Sequence, residues 1–104
     1  MGREQTYNKV IIIGRLANDP KLDTSGKARF TLCNSSVSDG KEVVKFHQMV
    51  SSKKNSKLVM DYLKKGDLVC VEGPVTSKQV GEELKTTIGC ERITFLTSKR
   101  KVEI

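Results

Sequence analysis

The run "NKVIIIGRL" (8–16) limits the fold more than any other stretch. Val10 to Ile13 are consecutive β-branched residues, so the segment reads as a strand that is apolar on both faces. Such a strand has to be covered on both sides. A chain of 104 residues holds one domain and hardly two. One side of the strand is therefore expected to meet the core and the other a second subunit, with Val10 and Ile12 assigned to the subunit contact.

"ANDPKLDTSGK" (17–27) is turn chemistry throughout. "ARFTLCNSS" (28–36) alternates, with Ala28, Phe30 and Leu32 on one face and Arg29, Thr31 and Cys33 on the other. Asp39-Gly40 predicts a two-residue hairpin turn into "VVKFHQMV" (43–50). There Val44, Phe46, Gln48 and Val50 share one face, and Val43, Lys45, His47 and Met49 the other. A helix is expected over 54–65, its apolar face made by Leu58, Val59, Tyr62 and Leu63, with Lys64 and Lys65 suiting its C-terminal end and Gly66 following as C′. Tyr62 is read as core. "DLVCVEGPVTSK" (67–78) and "LKTTIGCERITFL" (84–96) read as two further strands joined by a turn at Gly81. Gly73-Pro74 marks a bend, because proline cannot donate to a ladder.

The order is thus three strands, one helix, two strands. That is the order of the OB-fold, an all-β, five-stranded Greek-key barrel with one α-helix between strands 3 and 4, a fold that often binds oligonucleotides or oligosaccharides. The domain is expected to span 1–96, with 97–104, "TSKRKVEI", as a short basic tail.

The formal net charge is +7, which bears on partners rather than on fold. Nucleic acid suits it best, an anionic membrane or acidic protein less well. No apolar run approaches the roughly 18 residues of a spanning helix. "MGREQTYNK" contains no hydrophobic signal region. Cys33, Cys70 and Cys90 are too few and too far apart for a disulfide framework or a zinc site, and read as small buried or half-buried thiols in a reducing cytoplasm. His47 is the lone histidine. With no nucleophile–base pair, metal cluster or phosphate-cradling glycine loop in sight, neither catalysis nor a cofactor is expected.

Five segments carry a family resemblance: "NKVIIIGRLANDP" (8–20), "SGKA" (25–28), "FHQMV" (46–50), "DYLKKGDLVCVEG" (61–73) and "ITFL" (93–96). They are similar, in order, to motifs of the bacterial-type single-stranded DNA-binding proteins, including N-K-V-x-L-x-G-x-L-x-x-D-P, W-H-x-V and Y-L-x-K-G-x-x-V-x-V-E-G. The resemblance implies an OB-fold that wraps single-stranded DNA, a homotetramer or dimer, possession of no metal, and a cytoplasmic, nucleoid-associated place in replication, recombination or repair alongside other proteins of those processes. It implies that Phe46 stands where the family has a base-stacking Trp, with Gln48 beside it. By motif position or strand face, Lys9, Lys45, Lys54, Lys65 and Lys78 are implied as DNA contacts, and Arg3 as a flexible phosphate contact. His47 matches an interface histidine. Tyr7 has two readings, base stacking and sealing a subunit contact.

The departures carry weight. Other aromatic positions of the family are held here by "NSSVSDGKE" (34–42), Ser52 and Val80. Losing three stacking platforms removes on the order of 3–9 kcal/mol if their contributions add. The family's long linker and acidic tip have no counterpart in "KRKVEI", which leaves a shortened chain or a tailless relative. The second of these resembles the primosomal replication protein PriB, an adaptor between single-stranded DNA and replication-restart proteins. RNA is a further candidate ligand, since stacking accepts either polymer.

Overall fold

The computed structural model describes residues 8–96. Its strands are β1 (Val10–Leu16), β2 (Lys21–Leu22), β3 (Ala28–Ser38), β4 (Lys41–Ser51), β5 (Leu68–Gly73), β6 (Val75–Val80), β7 (Glu83–Cys90) and β8 (Arg92–Phe95), with one helix, α1 (Lys53–Tyr62), between β4 and β5. The expected tail at 97–104, Arg3 and Tyr7 lie outside the described residues.

The hydrogen-bonded order is β6-β7-β4-β3-β1-β5-β8, with β2 on β3. β5 and β6 are one strand bent at Pro74; β7 and β8 are one strand bent at Glu91. Counted that way, and setting aside the two-residue β2, there are five strands, as the sequence predicts. The two halves of the fourth lie toward opposite ends of the sheet. The ladder itself is not an unbroken ring. The sheet curls until β5 meets β7, where Gly89 N–H donates to Pro74 O and Glu91 N–H to Glu72 O, both at 2.9 Å. This is the OB-fold. Gly73 makes the approach possible: a Cβ there would land on the Gly89 carbonyl.

Strand alternation fills the barrel. Ala28, Phe30 and Leu32 of β3, Met49 of β4, Val69 and Val71 of β5, and Ile93 and Phe95 of β8 are all buried. Each large apolar side chain taken from water contributes about 1.5–3 kcal/mol. Asp39 and Gly40 both have positive φ, as the two-residue turn between β3 and β4 requires.

Five expectations change. On β1 the assignment of faces reverses: Val10 and Ile12 pack against the core, while Ile11 and Ile13 are 62% and 54% exposed. Alternation in "VIII" is hidden because all four residues are apolar; only the barrel decides which pair points inward. The helix starts at Lys53, with Ser52 as N-cap accepting from Asn55 N–H, and ends at Tyr62 rather than Lys65. It stops because the next amides are satisfied elsewhere: Lys64 N–H by the Asp67 carboxylate at 2.9 Å and Lys65 N–H by the Asp19 carboxylate at 2.8 Å. Gly66, at φ 93°, is then a turn residue between Lys64 and Asp67 and not the helix C′. Val59 and Leu63 are the buried anchors, whereas Tyr62, expected in the core, is 38% exposed. Finally, the 17–27 loop contains β2, paired as Lys21↔Arg29 and Leu22↔Ala28.

The β2–β3 turn is tied by Asp23. Its carboxylate accepts from the Ser25 hydroxyl at 2.6 Å, the Arg29 Nε at 2.7 Å and the Lys27 N–H at 3.0 Å. These donors, the Ser25 hydroxyl foremost, hold the carboxyl well below the usual carboxylate range. Burial pushes the Cys90 thiol up to about 12.

Two outcomes are expected. Gly73→Ala has to separate two backbones and destabilises by about 1–3 kcal/mol or more, read from denaturant unfolding. Asp23→Ala lowers Tm at neutral pH. A depressed carboxyl contributes stability above its unfolded pKa, near 3.8, and loses it as pH falls further. The Tm gap to the parent should therefore shrink below about pH 4; a gap independent of pH would mean that the backbone alone holds the turn.

Candidate nucleic-acid interface

The outer face of β4 carries Val44, Phe46 and Gln48, because Met49 commits the alternate face to the core. Phe46 is 63% exposed. Its neighbour across the ladder is Cys33, and that of Cys33 on β1 is Arg15. One row of the outer surface thus holds a ring, a thiol and a guanidinium. Two strand spacings, about 10 Å, separate the ring from the Arg15 backbone. Arg15 is braced by a 3.0 Å hydrogen bond from Nη1 to Gly66 O.

β1 and β3 stay paired only at Arg15↔Cys33 and Leu16↔Leu32. Gly14 lets them touch there, since a Cβ would sit 2.6 Å from Cys33 O. Beyond this point β3 and β4 run on as an arm exposed on both faces. The divergence opens a groove of about 430 Å3 lined by Ile13, Arg15, Cys33, Ser35 and Val44 among others. β6 and β7 form a second arm whose outer part is likewise exposed.

The other predicted residues are spread out. Gln48 is exposed on the face of Phe46, its Oε1 accepting from the Thr31 hydroxyl at 3.3 Å. Lys45 is exposed on the opposite face, with half-buried His47, whose Nε2 lies 3.2 Å from Asn34 Oδ1. Lys9 precedes β1 and pairs with Glu72 at 3.5 Å. Lys54 is in the first turn of α1 and Lys65 in the loop after it, both exposed. Lys78 sits on the second arm, directly opposite Lys85. Two like charges face to face repel, and an anion between them removes the penalty.

Arg15, Lys21, Arg29 and Lys85 are further exposed cations to which the motifs do not point. Arg15 is hidden with the face of β1, which four apolar residues do not reveal, whereas Lys85 follows from counting outward from the Gly81 turn to the position opposite Lys78. Lys21 lies on β2, a two-residue strand within a segment whose turn chemistry predicts a loop. Among the described residues no group of three or more His, Cys, Asp or Glu gathers as metal ligands, and no helix is long and apolar enough to cross a membrane.

Comparison with known proteins places this geometry. A solved structure of a Plasmodium falciparum SSB in complex with ssDNA aligns with a TM-score of 0.77 at 23% identity, covering 91% of this chain and 99% of that one, a likeness of fold. A single-stranded DNA-binding protein of Neisseria meningitidis serogroup A is 34% identical over 86 residues, covering 71% of this chain and 48% of the relative. Single-stranded DNA-binding protein 3 of Listeria innocua is 33% identical over 105 aligned positions, covering 89% and 66%. The chain spans about half the length of the first of these relatives. The single-strand binding protein family matches over residues 7–96, which take in all of the described residues, and the chain belongs to that family.

Proposed function

We propose that the chain binds single-stranded DNA, non-catalytically and with little sequence dependence, and serves replication, recombination or repair. The observation that carries this reading is Phe46, a large apolar ring exposed on a sheet face beside Gln48, Cys33 and Val44, with Arg15 in the same row. A ring in that setting offers a stacking surface to a base, while Arg15 and the lysines of the two arms offer charge to the phosphates. The match to the family and the names of its relatives support it.

With one aromatic on this face among the described residues, charge has to supply more of the affinity. Each phosphate contact on a single strand contributes about −0.7 to the log–log salt slope. We further propose a homo-oligomer, tetramer favoured over dimer. Ile11 and Ile13 support it, as two isoleucines left outward on a central strand.

Titration with oligo-dT of increasing length, against duplex and RNA controls, tests the binding. Preference for single strands and a steep fall in affinity with salt are expected; equal affinity for duplex sinks the reading. Phe46→Ala should weaken binding by about 1–3 kcal/mol, the worth of one stacked base, with Tm unchanged. Light scattering on the parent and on an Ile11→Lys, Ile13→Lys double variant tests assembly: the parent should be oligomeric and the variant smaller.

A further inference from the structure

Beside Phe46 the outer face dips into a recess of about 190 Å3, lined by Asn18, Asp19, Lys21, Arg29, Thr31 and Gln48, among others. Gln48 follows Phe46 by two positions on the same face, about 7 Å along the strand. That is within reach of the nucleotide adjoining one stacked on the ring.

Thr31 organises the polar groups here. Its N–H donates to Asn18 Oδ1 at 3.2 Å, and its hydroxyl donates to Gln48 Oε1 at 3.3 Å. One residue thus occupies the oxygen of both amides. Each amide is left with its NH2 group to offer, and neither NH2 has a hydrogen bond of its own within the described chain. The recess is therefore set up as a pair of neutral donors.

Its charges nearly cancel. Asp19 lies in the wall, fixed by the Lys65 N–H at 2.8 Å, and opposes Lys21. Arg29 is bound to Asp23 at 2.7 Å. A phosphate gains little from such balanced surroundings and meets a carboxylate. A neutral acceptor gains the two amide donors without that repulsion.

We propose that this recess reads the carbonyl edge of the nucleobase next to the one stacked on Phe46, through the amide groups of Gln48 and Asn18. Bases with exocyclic carbonyls (thymine with two, guanine and cytosine with one) are accepted, and adenine, which has none, is disfavoured. Thr31 is the positioning residue. The inference rests on the single-stranded DNA reading above and adds a modest base preference to it.

The test separates stacking from hydrogen bonding. Affinity is measured for an oligo-dT and for the same oligomer built with difluorotoluene nucleosides, which keep the shape of thymine but accept hydrogen bonds poorly. The parent should prefer oligo-dT by about three- to thirtyfold, the range of one or two net hydrogen bonds. Gln48→Met keeps length and neutrality but removes the amide. Asn18→Asp keeps the acceptor for the Thr31 N–H but removes the donor. Each should shrink the ratio between the two probes with Tm unchanged, and the double variant should bring it to one. If the parent binds both oligomers tightly and equally, the recess does not read bases and the inference falls while strand binding stands. If the variants weaken both probes by the same factor, the contact is to the backbone, which overturns it as well. If neither oligomer binds, the functional reading itself has failed.

Discussion

The barrel depends on one contact between backbones. Where β5 turns into β6, Gly73 lies against the carbonyl of Gly89, closer than any side chain allows. Hydrogen bonds from Gly89 and Glu91 to Pro74 and Glu72 lock the crossing. A flat sheet of these strands would leave Val69, Val71, Ile88 and Ile93 half in water. Curling over Gly73 and Gly89 folds that face onto itself and makes it a core. The bend at Pro74 is part of the same device, since the fourth strand must leave one side of the sheet and rejoin on the other.

The rest of the surface follows from that closure. Once the inner face is committed, every second residue of β1, β3 and β4 has to face outward, and Arg15, Cys33 and Phe46 fall into one row. The strands that outrun the barrel become two arms, and the gap between β1 and β3 becomes a groove. Loops pinned by carboxylates support the row from behind: Asp67 and Asp19 hold the segment after α1, whose Gly66 carbonyl in turn braces Arg15. Asp23 holds the β2–β3 turn and occupies Arg29. The same acidic groups that shape the loops thereby decide which cations of this face remain open to an anion.

Much of this was legible in the sequence, and the rest was lost for physical reasons. The alternation in "ARFTLCNSS", the Asp39-Gly40 turn and the Gly73-Pro74 bend each name their structure, because each expresses a local constraint on dihedrals or on faces. The helix was read too long, because propensity favours Lys64 and Lys65 in a last turn while distant carboxylates take their amides. Tyr62 was read as core because periodicity gives an apolar stripe its direction but not its width. On β1, four apolar residues in a row carry no sign of which pair points inward.

By itself the sequence determined the five principal strands, the single helix, the positions of the turns and the pairing of Phe46 with Gln48 on one face. All are set by neighbours within a few residues, through φ preferences and period-two alternation. The tertiary structure alone decided that Ile11 and Ile13 stand outside, that Arg15 joins the row of Phe46, and that Thr31 turns two amides to one recess. Those outcomes depend on register between strands far apart in the chain and on the closure at Gly73 and Gly89, where the energy of burying one face outweighs any local preference.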